Sequence, residues 1–346
     1  MNRKLIRSVR NLNQLHTATK TLTKGEEIMI ANSDQHILLI GTNRGVYRVP
    51  IDKMDEAKQV LDTKHVLRVR RFGEEILAAT RAGLFRSTDR GESWVNLNVP
   101  RKEVYSVYQE VQNKKLYAGT HPAHLYLSDD GGESWRELEG LQSLPSRNTW
   151  HTPRHRNEAH VRSLGGHADA PGRLIAGIEV GGVHVSEDGG KTWTERRDGL
   201  HDDIHHVLIT EADEYIASTG GGLYRSRNAG RTWTRLDNKL DHTYFREAFV
   251  VGGRLYAAAA RSAPPAWGGE QGADAALFES ADGGDTFHSV AYAGQPEDLV
   301  LAWTVADTER ETVFAGTRNG HILRRTDDKW RKVGSTPSSI RSLTAI

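Results

Sequence analysis

The segment Val183 to Trp193, VHVSEDGGKTW, contains the pattern S-x-D-x-G-x-T-W, and the chain repeats that pattern along its length. Copies stand at Ser87–Trp94 (STDRGESW), Ser128–Trp135 (SDDGGESW) and Ser280–Phe287 (SADGGDTF). Ser226–Trp233 (SRNAGRTW) has Asn228 in the Asp place, and Thr326–Trp330 (TDDKW) is a fragment. Short apolar runs flank the copies, so each reads as a hairpin turn. Glycine supplies the unusual backbone conformations, and the Asp or Asn side chain accepts hydrogen bonds from its own turn. The closing aromatic anchors the next strand. Turn geometry accounts for these aspartates, and they are read as structural.

A second marker fixes the period. A small-residue strand, a turn and an apolar strand recur at LLIGTNRGVYRV (38–49), LAATRAGLFRS (77–87), LYAGTHPAHLYLS (116–128) and LIAGIEVGGVHVS (174–186). They continue at YIASTGGGLYRS (215–226), LYAAAARS (255–262) leading to ALFES (276–280), and VFAGTRNGHILRR (313–325). Most of these seven units are about 40 residues apart, the spacing of propeller blades. Each supplies four short strands, so the expectation is an all-β, seven-bladed β-propeller of four-stranded antiparallel blades. One domain spans residues 1–346, with blades near 27–63 plus 340–346, 64–98, 102–138, 160–196, 203–236, 243–290 and 298–333. Residues 340–346 (IRSLTAI) match VRSL at 161–164 and read as the first strand missing from the first blade, which closes the ring.

The turn motif resembles the Asp-box, or BNR repeat, of sialidases and many other β-propellers. Asp-box propellers similar to photosystem assembly factors and sorting-receptor ectodomains act as non-enzymatic scaffolds. Sialidases use an arginine triad for the substrate carboxylate, a Tyr–Glu nucleophile pair and an Asp acid/base. That resemblance implies Tyr244 with Glu179 or Glu247, and Asp202 or Asp203, in the catalytic roles. The sialidase F/Y-R-I-P string is not matched on an inner strand: Tyr47–Pro50 (YRVP) sits in the third-strand position that reads GLFRS and GLYRS elsewhere. Seven blades also depart from the six of a sialidase.

Composition narrows the classes. A net charge of +1 gives no sign of a nucleic-acid partner, and the absence of cysteine excludes disulfides and thiolate chemistry. No apolar run is long enough to span a bilayer and the first residues lack a secretory h-region, so the expectation is a cytoplasmic protein without a membrane partner. No phosphate-cradling glycine loop is present, so no nucleotide cofactor is expected.

Two insertions, residues 139–159 and 261–275, break the rhythm, and both emerge on the face opposite the S-x-D-x-G turns. Aligned by apolar pattern, the innermost strands carry Leu67, Tyr105, Arg162, His205, Arg246, Leu301 and Arg341 at one position aimed at the central channel. Turns on that face add Arg81, His121, Glu179 and Arg318, and the first insertion adds Trp150 and Arg154, with His160 at the strand entrance. Ionisable groups that converge on one end of a channel point to a pocket for an anionic small molecule or glycan. Arginines grip a carboxylate or phosphate bidentately, and Trp150 or Trp267 gives an apolar wall. Arg162, Arg246, Arg341, Arg154, His160, Arg81, Arg318 and Trp150 are the ligand-binding candidates. Substitution of Arg162 is expected to leave stability nearly intact.

If the site is catalytic, it is a glycosidase-like hydrolase with Glu179, His205 and Tyr244 as candidates, Glu179 or His205 being the acid/base. An alternative is a metal-dependent enzyme holding a divalent transition metal at His121, His160, His205 and His206. A third is an assembly scaffold for an acidic protein segment.

Overall fold

A computed structural model describes residues 36–152, 158–237, 239–268, 272–307, 312–326 and 328–346. The expected onset of the first blade at residue 27 and the candidate Arg154 lie outside the described residues.

The strands form seven four-stranded antiparallel sheets arranged as propeller blades. In blade 1 the strand Ile340–Ala345 pairs with Ile37–Thr42, followed outward by Gly45–Pro50 and Lys58–Leu61. Leu38 faces Ala345 and Ile40 faces Leu343, so residues far apart in sequence close the ring within one sheet. The inner strands of blades 2 to 7 are Val66–Phe72, Val104–Glu110, Val161–Gly165, Ile204–Ile209, Tyr244–Val251 and Val300–Asp307. Helical structure among the described residues is limited to short 3-10 turns at Glu139–Leu141, Pro145–Thr149 and Pro264–Gly268, all within the two insertions.

The core is divided among the blade interfaces. One cluster joins Leu39 and Val46 of blade 1 to Val66 and Val69 of blade 2, another joins Leu77 to Val104 and Leu116, and the pattern continues around the ring. This explains the small-residue second strand: the neighbouring inner strand lies directly against it. A Cβ on Gly119 would stand 2.6 Å from the Val161 side chain of the next blade. Serines tie neighbouring inner strands: Ser106 donates to the Val161 carbonyl at 2.7 Å, and the Ser342 hydroxyl accepts from the Val69 amide at 2.9 Å.

The repeated turns are built as their residues require. Asp188 accepts from the Ser186 hydroxyl at 2.8 Å and from the Thr192 amide and hydroxyl at 2.9 and 2.6 Å. Gly190 adopts φ +87°, and a Cβ there would meet Leu138 at 2.7 Å. Trp233 Nε1 reaches the Arg196 carbonyl of the preceding blade at 3.0 Å, which couples the turn to its neighbour. The hydroxyl and amide of Ser93 hold the Asp89 carboxyl down to about 2, and Asp188 reaches about 2 because its Thr192 bonds outweigh the desolvation that opposes them. A carboxyl depressed by folding stabilises fully above its unfolded pKa of roughly 4 and ceases to do so as pH falls through its folded value. Thermal unfolding followed from pH 5 to pH 2 is therefore expected to show melting temperature falling across this window. Asp188→Ala is expected to be less stable by about 1–2 kcal/mol, as for a lost capping side chain, and to lose part of that acid dependence.

Candidate functional site

Each inner strand carries a β-bulge at the same place. Register shifts skip Leu67, Tyr105, Arg162, His205, Leu301 and Arg341, each between two paired neighbours. In blade 6 Arg246 and Glu247 together face Ala258. A bulge leaves a residue out of the ladder and re-aims its side chain. All seven of these equivalent residues, with Arg68 and Glu247, line a small cavity of about 30 Å³ on the channel axis. Above it opens a cavity of about 540 Å³, and the two share Leu67, Tyr105, Arg162, Arg246, Leu301 and Arg341.

Both insertions reach the mouth of the larger cavity, one through Thr152 and the other through Pro264 and Trp267. Among the described residues its walls hold five arginines, Arg81, Arg162, Arg246, Arg318 and Arg341, against two carboxylates, Glu103 and Glu179. Glu179 is committed: it lies 2.5 Å from Arg162 Nη1 and 2.6 Å from His160 Nε2. Burial alone would push its carboxyl up, but Arg162 and His160 outweigh that and hold it well below the usual range. Glu179 is thus an ionised anchor at neutral pH, unsuited to donate a proton. His160 is kept neutral, burial lowering it to about 4 despite Glu179, and its ring lies 3.9 Å from that of Tyr105, tilted by 32°.

Arg246 and Arg341 stand differently. Arg341 Nε donates to Asn43 at 2.5 Å and Arg246 Nη1 contacts the Tyr244 hydroxyl at 3.4 Å. Among the described residues neither has a carboxylate within 4.0 Å. Burial, reinforced by Arg246, Arg162 and Arg81, pushes Arg341 down to about 10, so it remains charged at neutral pH. Arg81 contacts the Tyr105 hydroxyl at 3.1 Å and lies 3.9 Å from Glu103. Arg318 covers Trp267 at 5.3 Å, and Tyr244 meets the same indole edge-on at 5.7 Å.

Trp150 does not line the cavity. It is buried between blades 3 and 4, its ring 4.9 Å from His184 and its Nε1 3.2 Å from the Ser146 hydroxyl. So large an apolar surface gains more in the interface core than at a polar mouth, and Trp150 anchors the insertion. Nor do the four histidines named as metal candidates converge. His121 and His160 are at the mouth and His205 is on the lower ring. His205 is buried with Nδ1 donating to the Phe245 carbonyl at 2.5 Å, and His206 turns to Arg70 and Glu247. Among the described residues no three His, Asp or Glu side chains are placed to hold a metal ion. The Tyr244 hydroxyl hydrogen-bonds to no carboxylate among the described residues, so a Tyr–Glu pair is not assembled.

Arg68 and Glu103 escaped the sequence reading. Arg68 follows the bulged Leu67, as His206 follows His205 and Glu247 accompanies Arg246. The three meet below the ring: Glu247 lies 3.8 Å from Arg68 and 3.9 Å from His206. Ser106, Ser163, Ala302 and Ser342 occupy the corresponding places in the other blades, so no repeated signal marks that layer.

No family model matches the sequence. A probable oligoxyloglucan-reducing end-specific xyloglucanase of Neosartorya fischeri is 24% identical over 210 residues, 46% of this chain and 25% of that protein. A relative of the same description, without the qualifier, from Emericella nidulans is 25% identical over 201 residues, 51% of this chain and 22% of its own length. The chain thus spans about a quarter of the curated relatives it matches. Among solved structures, the GH74 xyloglucanase from Xanthomonas campestris superposes with TM-score 0.67 at 16% identity, covering 86% of this chain and 52% of that one. YCF48 from Cyanidioschyzon merolae gives 0.55 at 14%, covering 80% and 86%. These likenesses establish the propeller fold.

Proposed function

We propose that the chain recognises a small anionic ligand, a carboxylate- or phosphate-bearing molecule of saccharide size, in the larger cavity. The observation that carries this reading is the pair Arg246 and Arg341, guanidinium groups without a carboxylate partner among the described residues, on the wall of a 540 Å³ cavity. Two such forks suit a planar or tetrahedral oxyanion, and bonds to charged groups are the stronger ones. Arg81 and Arg318 enlarge the positive field at the mouth, while Trp267 and Tyr244 offer aromatic surface to a sugar ring. The xyloglucanases named above support a saccharide as the ligand, and the S-x-D-x-G turns support an Asp-box lineage.

Hydrolysis is a weaker reading. A glycosidase of the common kind needs a protonated carboxyl opposite a second carboxylate. Among the described residues the carboxylates lining this cavity are Glu179, locked by Arg162, and Glu103, beside Arg81.

Titration calorimetry with uronic acids, sugar phosphates and their neutral counterparts tests the proposal. The acidic members are expected to bind and the neutral ones to fail, with affinity falling several-fold between about 50 and 300 mM salt. Trp267→Ala is expected to cost about 10-fold in affinity. Equal affinity for neutral xyloglucan oligosaccharides, or their cleavage, would replace this reading with the hydrolase.

A further inference from the structure

The 30 Å³ cavity at the floor is a different kind of place from the one above it. Among the described residues it is lined by four arginines, Arg68, Arg162, Arg246 and Arg341, and by one carboxylate, Glu247. Glu247 serves Arg68 at 3.8 Å, and Glu179, which lines the upper cavity only, serves Arg162 at 2.5 Å. Two positive charges on the floor therefore have no carboxylate partner among the described residues. Buried charges of one sign are costly unless something neutralises them.

The volume decides what that something is. About 30 Å³ holds one or two water-sized bodies, so a phosphate, a sulfate or a sugar carboxylate would have to extend into the cavity above. We propose that the floor of the channel is a resident site for a monatomic anion of chloride size, held between Arg246 and Arg341. This goes beyond recognition of an organic anion in the upper cavity: the ion lies below on the same two guanidinium groups, which line both cavities, so halide and organic anion are expected to compete. Its effect is structural, since an ion that binds only the folded ring stabilises it by mass action.

Melting temperature of the full chain is measured in sodium chloride and in sodium methanesulfonate, an anion too large for the floor, at equal ionic strength. A saturable rise of about 2 °C or more in chloride is expected, with bromide equivalent. Arg341→Met is expected to abolish the difference, whereas Arg318→Ala, at the mouth, is expected to keep it. Crystals grown in bromide are expected to show an anomalous peak between Arg246 and Arg341. Equal melting temperatures in the two salts, or water alone at the floor in the bromide crystal, would overturn the proposal. The two readings separate cleanly: failure of every organic anion to bind, with the halide effect intact, would remove the recognition function and leave this site standing.

Discussion

In a chloride-free buffer, Arg341→Met is expected to raise the melting temperature while lowering affinity for an anionic ligand by about 100-fold. Both effects have one cause. Arg341 is a partly buried cation whose hydrogen bond goes to a neutral amide, Asn43, and whose charged neighbours Arg246, Arg162 and Arg81 repel it. Methionine retains the length and apolar stem of the side chain and removes the charge, so folding no longer desolvates an uncompensated guanidinium. The ligand loses a bidentate, charge-assisted contact, worth roughly 1.5–3 kcal/mol. Thermal unfolding and calorimetry on the same preparation decide the matter. A fall in stability with unchanged affinity would make Arg341 a structural residue.

Arg162→Met is expected to behave in the opposite way, losing about 3–5 kcal/mol of stability. The sequence alone suggests that Arg162 belongs with Arg246 and Arg341, and that its loss weakens ligand binding while leaving stability nearly intact. The structure corrects this, because Glu179 lies 2.5 Å away and its carboxyl depends first on Arg162 to offset burial. Removing the guanidinium leaves a largely buried, unpaired carboxylate facing His160, which is itself neutral. Glu179→Gln in the same chain is expected to restore most of the loss, since the double variant buries neither charge. Urea unfolding of the two single variants and the double variant gives the coupling. Additive losses would show that the pair does not act as a unit.

The comparison shows why the fold was easier to read than the site. Turns such as Ser186–Trp193 depend on neighbours within eight residues, so their chemistry is written contiguously and repeats with the blades. The ring of bulged residues was legible for the same reason, since VRSL at 161–164 and IRSL at 340–343 place Arg162 and Arg341 in one register. What each arginine meets was not legible, because partners come from other strands or blades. Glu179 reaches Arg162 across a turn, and Glu247 of blade 6 reaches Arg68 of blade 2 across the channel. Trp150 shows the converse: aromatic character suggested a ligand wall, but only three dimensions reveal the interface core that takes it.

The bulges have an evolutionary meaning as well. Leu67 and Leu301 occupy the same backbone device as Arg162 and Arg341, so the ladder does not care what the skipped position carries. The S-x-D-x-G turns lie elsewhere in each blade and are untouched by a change there, although Leu301 also packs against an interface core. Seven positions therefore face one another across a common axis, and those not tied to a partner, as Arg162 is to Glu179, are free to change. A lineage built on this ring can rewrite the character of its channel one codon at a time, from cationic to acidic or greasy, while its scaffold stays fixed.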